Sequence, residues 1–276
     1  MTSNKNKNWR NLFGSSSPHK RKKLGGTIFS ALMALVLVGF LSVAAFFAVA
    51  KFTTAKILTK DMAPMASSQF FDAKGNLITT VNSEEDRIPV TIDKVPKNLQ
   101  HAFLAAEDIR FYEHGGIDFR GIGRAIYTYI RWGEVQGGST ITQQFVKNVF
   151  LSHEQSLERK IEEAILSLML EDNYTKDEIL ELYLNTTYFG AGANGIKQAA
   201  NKYFGKAPSA LSLAEAAVIA ALPYAPSALN PLENPLECKK RQQLVLAAMH
   251  KYGMINQAQL AEAKAEVIRL NNGVKM

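Results

Sequence analysis

Cysteine is almost missing from this chain of 276 residues: Cys238 is the single thiol. No intramolecular disulfide can therefore support the fold, and the residue reads as a buried, idle thiol. Acid is missing from residues 1–23, and charge of either sign is missing from Gly25 to Ala50. No Gly-Lys-Ser/Thr ending follows the glycine-rich stretches, which excludes a Walker phosphate loop. No His/Cys/Asp spacing marks a dedicated metal cage, and no internal repeat is visible.

The formal charge of +7 is local. Of 32 lysines and arginines, seven (Lys5, Lys7, Arg10, Lys20, Arg21, Lys22, Lys23) fall in residues 1–23, leaving 25 against 25 acids in the rest. A neutral body is poor evidence for a phosphate-backbone footprint, so no nucleic-acid partner is expected. The uncharged run Gly25–Ala50 would reach about 39 Å as a helix, against a hydrocarbon core of roughly 30 Å. With a basic tail before it, the positive-inside rule puts the N-terminus in the cytoplasm and the rest outside. Cleavage after Ala48-Val49-Ala50 is the alternative, and it gives the same outside location. The expected organisation is a basic tail (1–23), a transmembrane helix (24–51), a connector (52–68) and one domain (69–270).

Within that domain, Gln69–Val81 has the turn chemistry of a hairpin around Asp72-Ala73-Lys74-Gly75-Asn76, and Ile88–Ile92 suggests another short strand. Helical spacing then takes over at Lys97–Ile109, Phe119–Trp132, Thr140–Leu151, Leu157–Leu170, Pro235–Tyr252 and Gln257–Leu270. Thr175-Lys176-Asp177-Glu178 and Ser212-Leu213-Ala214-Glu215 fit capping boxes that start two more helices, near 176–185 and 213–222. Phe189–Gly195 reads as a glycine-rich loop. The fold class is mainly α with a small β element near the membrane.

Polar residues concentrate in residues 107–163. Glu107 ends an apolar helix, where partial desolvation raises a carboxyl pKa and suits it to acid–base work. Asp108 is its neighbour; Phe111 and His114 read as wall and loop positions. Gly137-Gly138-Ser139-Thr140 runs into a helix start, with Ser139 as the expected N-cap and free N–H groups suited to an anion. Gln143, Gln144 and Lys147 follow on that helix. Arg159, Lys160 and Glu163 sit at i,i+3 and i,i+4 spacing, either a surface ion pair or a cation pair for phosphate. Ile117, Phe119, Ile122, Ile126 and Ile130 read first as helix core, with bilayer contact as the alternative.

Taken in order, these motifs closely resemble the family 51 glycosyltransferases, the peptidoglycan polymerases of bacterial walls. They occur as monofunctional enzymes and as the N-terminal half of class A penicillin-binding proteins. The resemblance covers roughly 65–250. It rests on Glu107-Asp108-x-x-Phe111-x-x-His114-x-Gly116, Gly138-Ser139-Thr140-Ile141-Thr142-Gln143-Gln144 with Lys147, and Arg159-Lys160-x-x-Glu163. It continues through Lys176-x-x-Ile179-Leu180-x-x-Tyr183-Leu184-Asn185 to Arg241-Gln242-Gln243-Leu244-Val245-Leu246. The last motif departs from the family: Gln242 stands where a second arginine is usual, with Lys240 as a conceivable substitute.

The resemblance implies a lysozyme-like helical domain at the bacterial cell membrane that polymerises lipid II, releasing undecaprenyl diphosphate. It makes Glu107 the general base and Glu163 the second catalytic carboxylate. It assigns Asp108, Phe111, His114, Ser139, Thr140, Gln143, Gln144, Lys147, Arg159, Lys160 and Asn185 to substrate. Its partners would be lipid II, the growing lipid-linked glycan, the membrane and other cell-wall synthesis proteins. It needs no organic cofactor; a Mg²⁺ or Mn²⁺ would be bridged by substrate diphosphate. Two rivals are a muramidase-like hydrolase or lytic transglycosylase, which needs the cations less, and a non-enzymatic membrane scaffold. A transpeptidase is not expected, because the only Ser-x-x-Lys, Ser17-Pro18-His19-Lys20, lies in the basic tail and no Lys-Thr-Gly follows.

Overall fold

The computed structural model describes residues 33–34, 37–38, 68–71, 77–81, 89–133, 137–151 and 156–276. The chain divides into two compact units, Met1–Ala50 and Lys51–Met276. In the first, Met33, Ala34, Leu37 and Val38 are helical and exposed. The rest of the expected 24–51 span, and the connector up to 67, lie outside the described residues. Among the described residues no helix is long and apolar enough to cross a membrane.

The second unit is mainly helical. Strands β1 (Ser68–Phe71) and β2 (Leu77–Val81) pair antiparallel, Ser68 opposite Val81, with a register shift at Phe70/Phe71. Nine helices follow among the described residues: α1 (Lys97–Glu107), α2 (Phe119–Trp132), α3 (Ile141–Phe150), α4 (Leu157–Asn173), α5 (Lys176–Thr186), α6 (Ile196–Phe204), α7 (Leu213–Ala221), α8 (Pro235–Lys251) and α9 (Gln257–Ala265).

The core is built around α7. Every residue from Ala214 to Ala221 is buried, and five of those eight are alanine. A helix apolar all round belongs inside, and small side chains let neighbours approach. Helices α1 and α8 pack on it. Phe103 of α1 stands edge-on to Tyr183 (6.2 Å) and Phe189 (5.9 Å), contacts worth about 0.5–1.5 kcal/mol each beyond their burial. Cys238 of α8 is buried in the same core, and burial pushes its thiol up to about 12, so it is not a nucleophile at neutral pH.

Both expected capping boxes are present, at Thr175/Glu178 and Ser212/Glu215. Several expectations are corrected. Residues 89–91 form no strand; Ile92–Lys94 is a 3-10 turn instead. Helix α1 stops at Glu107, so Asp108 is already outside it. Helix α9 stops at Ala265, and the chain beyond it closes a bridge between Arg269 and Lys275. Helix α6 follows the glycine loop without any sequence expectation. Its start, Gly195, supplies no side-chain cap; its φ of 82° and a would-be Cβ 2.6 Å from the Asn185 carbonyl require glycine there.

Helix α2 is the largest departure from the core reading. Only Gly121 and Thr128 are buried on it. Phe119, Ile126, Tyr127, Tyr129, Ile130 and Trp132 are all exposed, Ile130 to 77%. Ile117, just before it, is buried, and Ile122 is half-buried. Such a contiguous apolar surface marks an interaction face.

Asn185 fixes the entry to the helical domain. Its Oδ1 accepts from the Val90 N–H (2.9 Å), and its Nδ2 donates to the carbonyls of Val90 and Glu181 (both 2.9 Å). Glu181 Oε2 accepts from the Ile92 N–H at 2.7 Å. Both polar atoms of this side chain are bonded to the backbone. Asn185→Ala is expected to lower stability by about 1 kcal/mol in urea unfolding, since the half-buried backbone groups left behind lose their partners. Hydrogen exchange should speed up at the Val90 amide first.

Candidate functional site

The site is assembled where the end of α1 meets the start of α3. Asp108 leaves α1 with extended backbone and is buried. Its Oδ2 accepts from the Ile141 N–H, the first amide of α3, at 3.1 Å. Both its oxygens lie 3.0–3.1 Å from His114 Nε2. Thr140, not Ser139, is the N-cap of α3: its Oγ1 accepts from the Gln143 N–H and donates to the Gly116 carbonyl at 2.6 Å. Gln143 returns the bond, its Oε1 accepting from the Thr140 N–H at 3.0 Å.

This geometry corrects the reading of that helix end as a free anion site. A carboxylate of the protein already occupies it, as the helix dipole favours. The side chains of Asp108, Thr140 and Gln143 are engaged inside the protein and hold the junction together. Phe111 is fully buried, edge-on to Tyr112 and His114, with Lys176 Nζ 4.5 Å from its centroid. It supports the site from beneath instead of lining it. Gly116 closes the loop against α4, with φ of 78° and a would-be Cβ 2.8 Å from the Ser167 carbonyl.

Glu107, the last residue of α1, is placed by this junction opposite Gln144 of α3. Gln144 Nε2 donates to Glu107 Oε2 at 2.8 Å, and Gln144 Oε1 accepts from the Tyr183 hydroxyl at 3.2 Å. Some surface of Glu107 stays exposed, but its Oε1 is out of solvent contact and has no partner. Burial raises the Glu107 pKa; the Gln144 bond and the nearby charges of Arg241 and Lys147 oppose the rise, and Asp108 adds to it. Burial also raises the Tyr183 pKa, helped by the Glu107 charge, so the phenol remains a donor to Gln144.

A cationic group stands on the far side of the same loop. Glu163 of α4 is 2% exposed, with Arg159 Nη1 3.1 Å from its Oε2 and Lys160 Nζ bonded to its Oε1. Lys160 also reaches Ser139 Oγ at 3.0 Å, which ties α4 to the residue before the α3 cap. Arg159 Nε is buried and unpartnered. Lys147 is half-buried in the last turn of α3, and no ion pair holds it among the described residues. Among those residues no group of three His, Cys, Asp or Glu could hold a metal. Both Glu163 oxygens already face cations, so this carboxylate is ill-suited to bind a divalent ion.

Two residues outside the expected set belong here. Tyr183 orients Gln144; the sequence marked it only as a member of the Lys176–Asn185 motif, with no role. Arg241 of α8 exerts its charge on Glu107, and its guanidinium lies 4.1 Å from the Tyr224 centroid, with a buried, unpartnered Nε. Gln242 beside it is fully buried and donates to the Ala214 carbonyl at 3.2 Å, so it belongs to the α7–α8 contact. Lys240 points outward, 72% exposed and paired with Glu237, and does not replace a second arginine.

Against known proteins, the Transglycosylase family model matches residues 74–250. The chain is 40% identical over 253 residues to Penicillin-binding protein 1F of Bacillus subtilis (strain 168), covering 91% of this chain and 35% of that one. It is 46% identical over 213 residues to Penicillin-binding protein 1A of Escherichia coli (strain K12), covering 77% and 25%. The chain thus spans about a third or less of these relatives. A crystal structure of Penicillin-Binding Protein 1A from Haemophilus influenzae aligns over 75% of this chain and 21% of that one, at 28% identity and a TM-score of 0.42. With the model match over most of its length, the chain belongs to the transglycosylase family, glycosyltransferase family 51, the peptidoglycan glycosyltransferases.

Proposed function

We propose that the domain polymerises lipid II into β-1,4-linked glycan with inversion at the donor carbon, and that Glu107 is its general base. One observation carries this reading: a buried carboxylate with one oxygen bonded to an amide and the other unpartnered, under the field of two cations. The Glu107 carboxylate is the base. It takes the proton from the acceptor 4-hydroxyl as that oxygen bonds to the donor C1. The bond from C1 to the diphosphate oxygen breaks, and its electron pair leaves with undecaprenyl diphosphate. Charge grows on that leaving group, where Lys147, Arg159 and Lys160 supply compensating cations. Glu163 keeps Arg159 and Lys160 in place, and Ser139 and His114 complete the wall. A Mg²⁺ or Mn²⁺ would be carried by the diphosphate oxygens, and no step here needs one from the protein.

A raised carboxyl pKa also suits a general acid, as a lysozyme-like muramidase would need. The cations argue for transfer: a sugar hydroxyl leaving group gives Arg159, Lys160 and Lys147 nothing to neutralise. The exposed face of α2 and the uncharged Gly25–Ala50 run fit a substrate that stays in the bilayer, since tethering raises its effective concentration. The domain then works outside the cytoplasmic membrane, beside other cell-wall synthesis proteins.

Glu107→Gln is expected to cut lipid II polymerisation by about 10²–10⁴-fold, the usual worth of a positioned base. Labelled lipid II in detergent reads this directly. Polymer of normal length from the variant would remove Glu107 from the role, and reducing ends released from purified wall by the wild type would favour the hydrolase. The same variant should be more heat-stable at neutral pH. Because the folded pKa of Glu107 is raised, its stabilising contribution is present below the ordinary carboxylate range and is lost as pH rises through the folded value. The amide does not ionise, so the gain in Tm should vanish in acid.

Gln144→Met should push Glu107 higher still, by removing the hydrogen bond that favours the charged form. The rising limb of kcat against pH should move to higher pH, with KM changed less than kcat at neutral pH. An unchanged limb would mean that Glu107 does not control it.

A further inference from the structure

A cleft of about 950 Å³ opens between the segment around Val90 and Lys94, helix α6, and the turn from Gly205 to Ser209. None of its lining residues belongs to the Glu107 group. Four lysines line it (Lys94, Lys197, Lys202 and Lys206) and no acid does. Lys206 is neutralised by Glu215, at 2.7 and 2.8 Å from its two oxygens. Asp93 is the sequence neighbour of Lys94. Lys197 and Lys202 have no ion pair among the described residues. A neutral domain has therefore gathered uncompensated positive charge in one concave place.

The lining also says what kind of anion fits. It contains no aromatic side chain, so a nucleobase has nothing to stack on. It contains no arginine, so the forked, oriented grip that selects a single carboxylate or phosphate is missing. Lysines bind phosphate as mobile point charges, and several separate lysines in one lining give each of several phosphates its own. Val90, Ala207 and Pro208 supply an apolar floor, and the size is right for a few linked units.

We propose that this cleft is a binding site for a ligand carrying several phosphate groups, separate from the diphosphate held beside Glu107. The phosphates could come from a soluble phosphate chain or from the headgroups of anionic lipid, and the chemistry is the same. The site does not rest on the polymerase reading and would stand if that reading failed.

The test is lysine footprinting on the full chain in detergent-free phosphatidylcholine nanodiscs, using amine acetylation and mass spectrometry. One arm contains short-chain inorganic polyphosphate, a second contains phosphatidylglycerol vesicles, and a third has neither. Lys94, Lys197 and Lys202 should react about threefold or more slowly with the ligand present, while exposed Lys264 and Lys275 keep their rates. Protection by polyphosphate assigns a soluble anion; protection by vesicles alone assigns a lipid headgroup. The protection should persist in an Arg159→Gln/Lys160→Gln variant. Lys197→Gln/Lys202→Gln should abolish it at Lys94 and weaken binding about tenfold, from two lost charges near phosphate. Lys197→Arg/Lys202→Arg should retain it, which separates lost charge from lost fold. No protection in either arm, or equal protection at Lys264 and Lys275, overturns the site.

Discussion

The contact between the Asp108 carboxylate and the first amide of α3 is the constraint on which the site depends. A helix start leaves its first N–H groups without intrahelical partners, and a carboxylate there satisfies both the hydrogen bond and the dipole. Asp108 follows directly after Glu107, so closing the α3 end with one residue sets the position of the other. The Thr140–Gln143 box and the Gly116 carbonyl fix the same end from the opposite side. His114 then braces Asp108. Asp108, Thr140 and Gln143 are thus the side chains that position Glu107. Their polarity is used up within the protein, and this leaves Glu107 Oε1 as the free acceptor at the junction.

Much of the helical frame was legible because its ends carry their own chemistry. Thr175/Glu178 and Ser212/Glu215 satisfy each other's backbone groups, and a spacing rule finds them. The same rule applied to Thr140 and Gln143 locates the α3 cap one residue past Ser139. Helix α6 was invisible for the converse reason: it starts at Gly195, held by backbone approach and a left-handed φ, with no side chain to announce it. The fate of α2 was also outside the reach of periodicity. A helical apolar pattern reports that one face is apolar; it does not report whether protein or another medium lies opposite. Ile117 and Ile130 read alike in sequence, yet one is buried and the other is 77% exposed.

The motif around Arg241 shows how adjacent residues divide labour. Neighbours on a helix point about 100° apart. Gln242 therefore turns to the α7 backbone, where a neutral donor suits a fully buried position. A guanidinium placed there would face the desolvation cost of an unpaired charge. Arg241 turns the other way, stacks on Tyr224 and bears on Glu107. The departure from the family pattern at 242 thus falls on the packing side of α8 and leaves the charge that reaches Glu107 in place.

Glu107 and Glu163 are the same residue type in opposite circumstances, and the contrast assigns them different tasks. Glu163 has a cation on each oxygen, so its charge is spent locally and moving it would release Arg159 and Lys160 together. Glu107 has one amide contact and one bare oxygen, with Lys147 and Arg241 acting only through their fields. A carboxylate held that way is poorly compensated as an ion and favours its protonated form. It is carried at the end of α1, the helix that packs against α7 and α8.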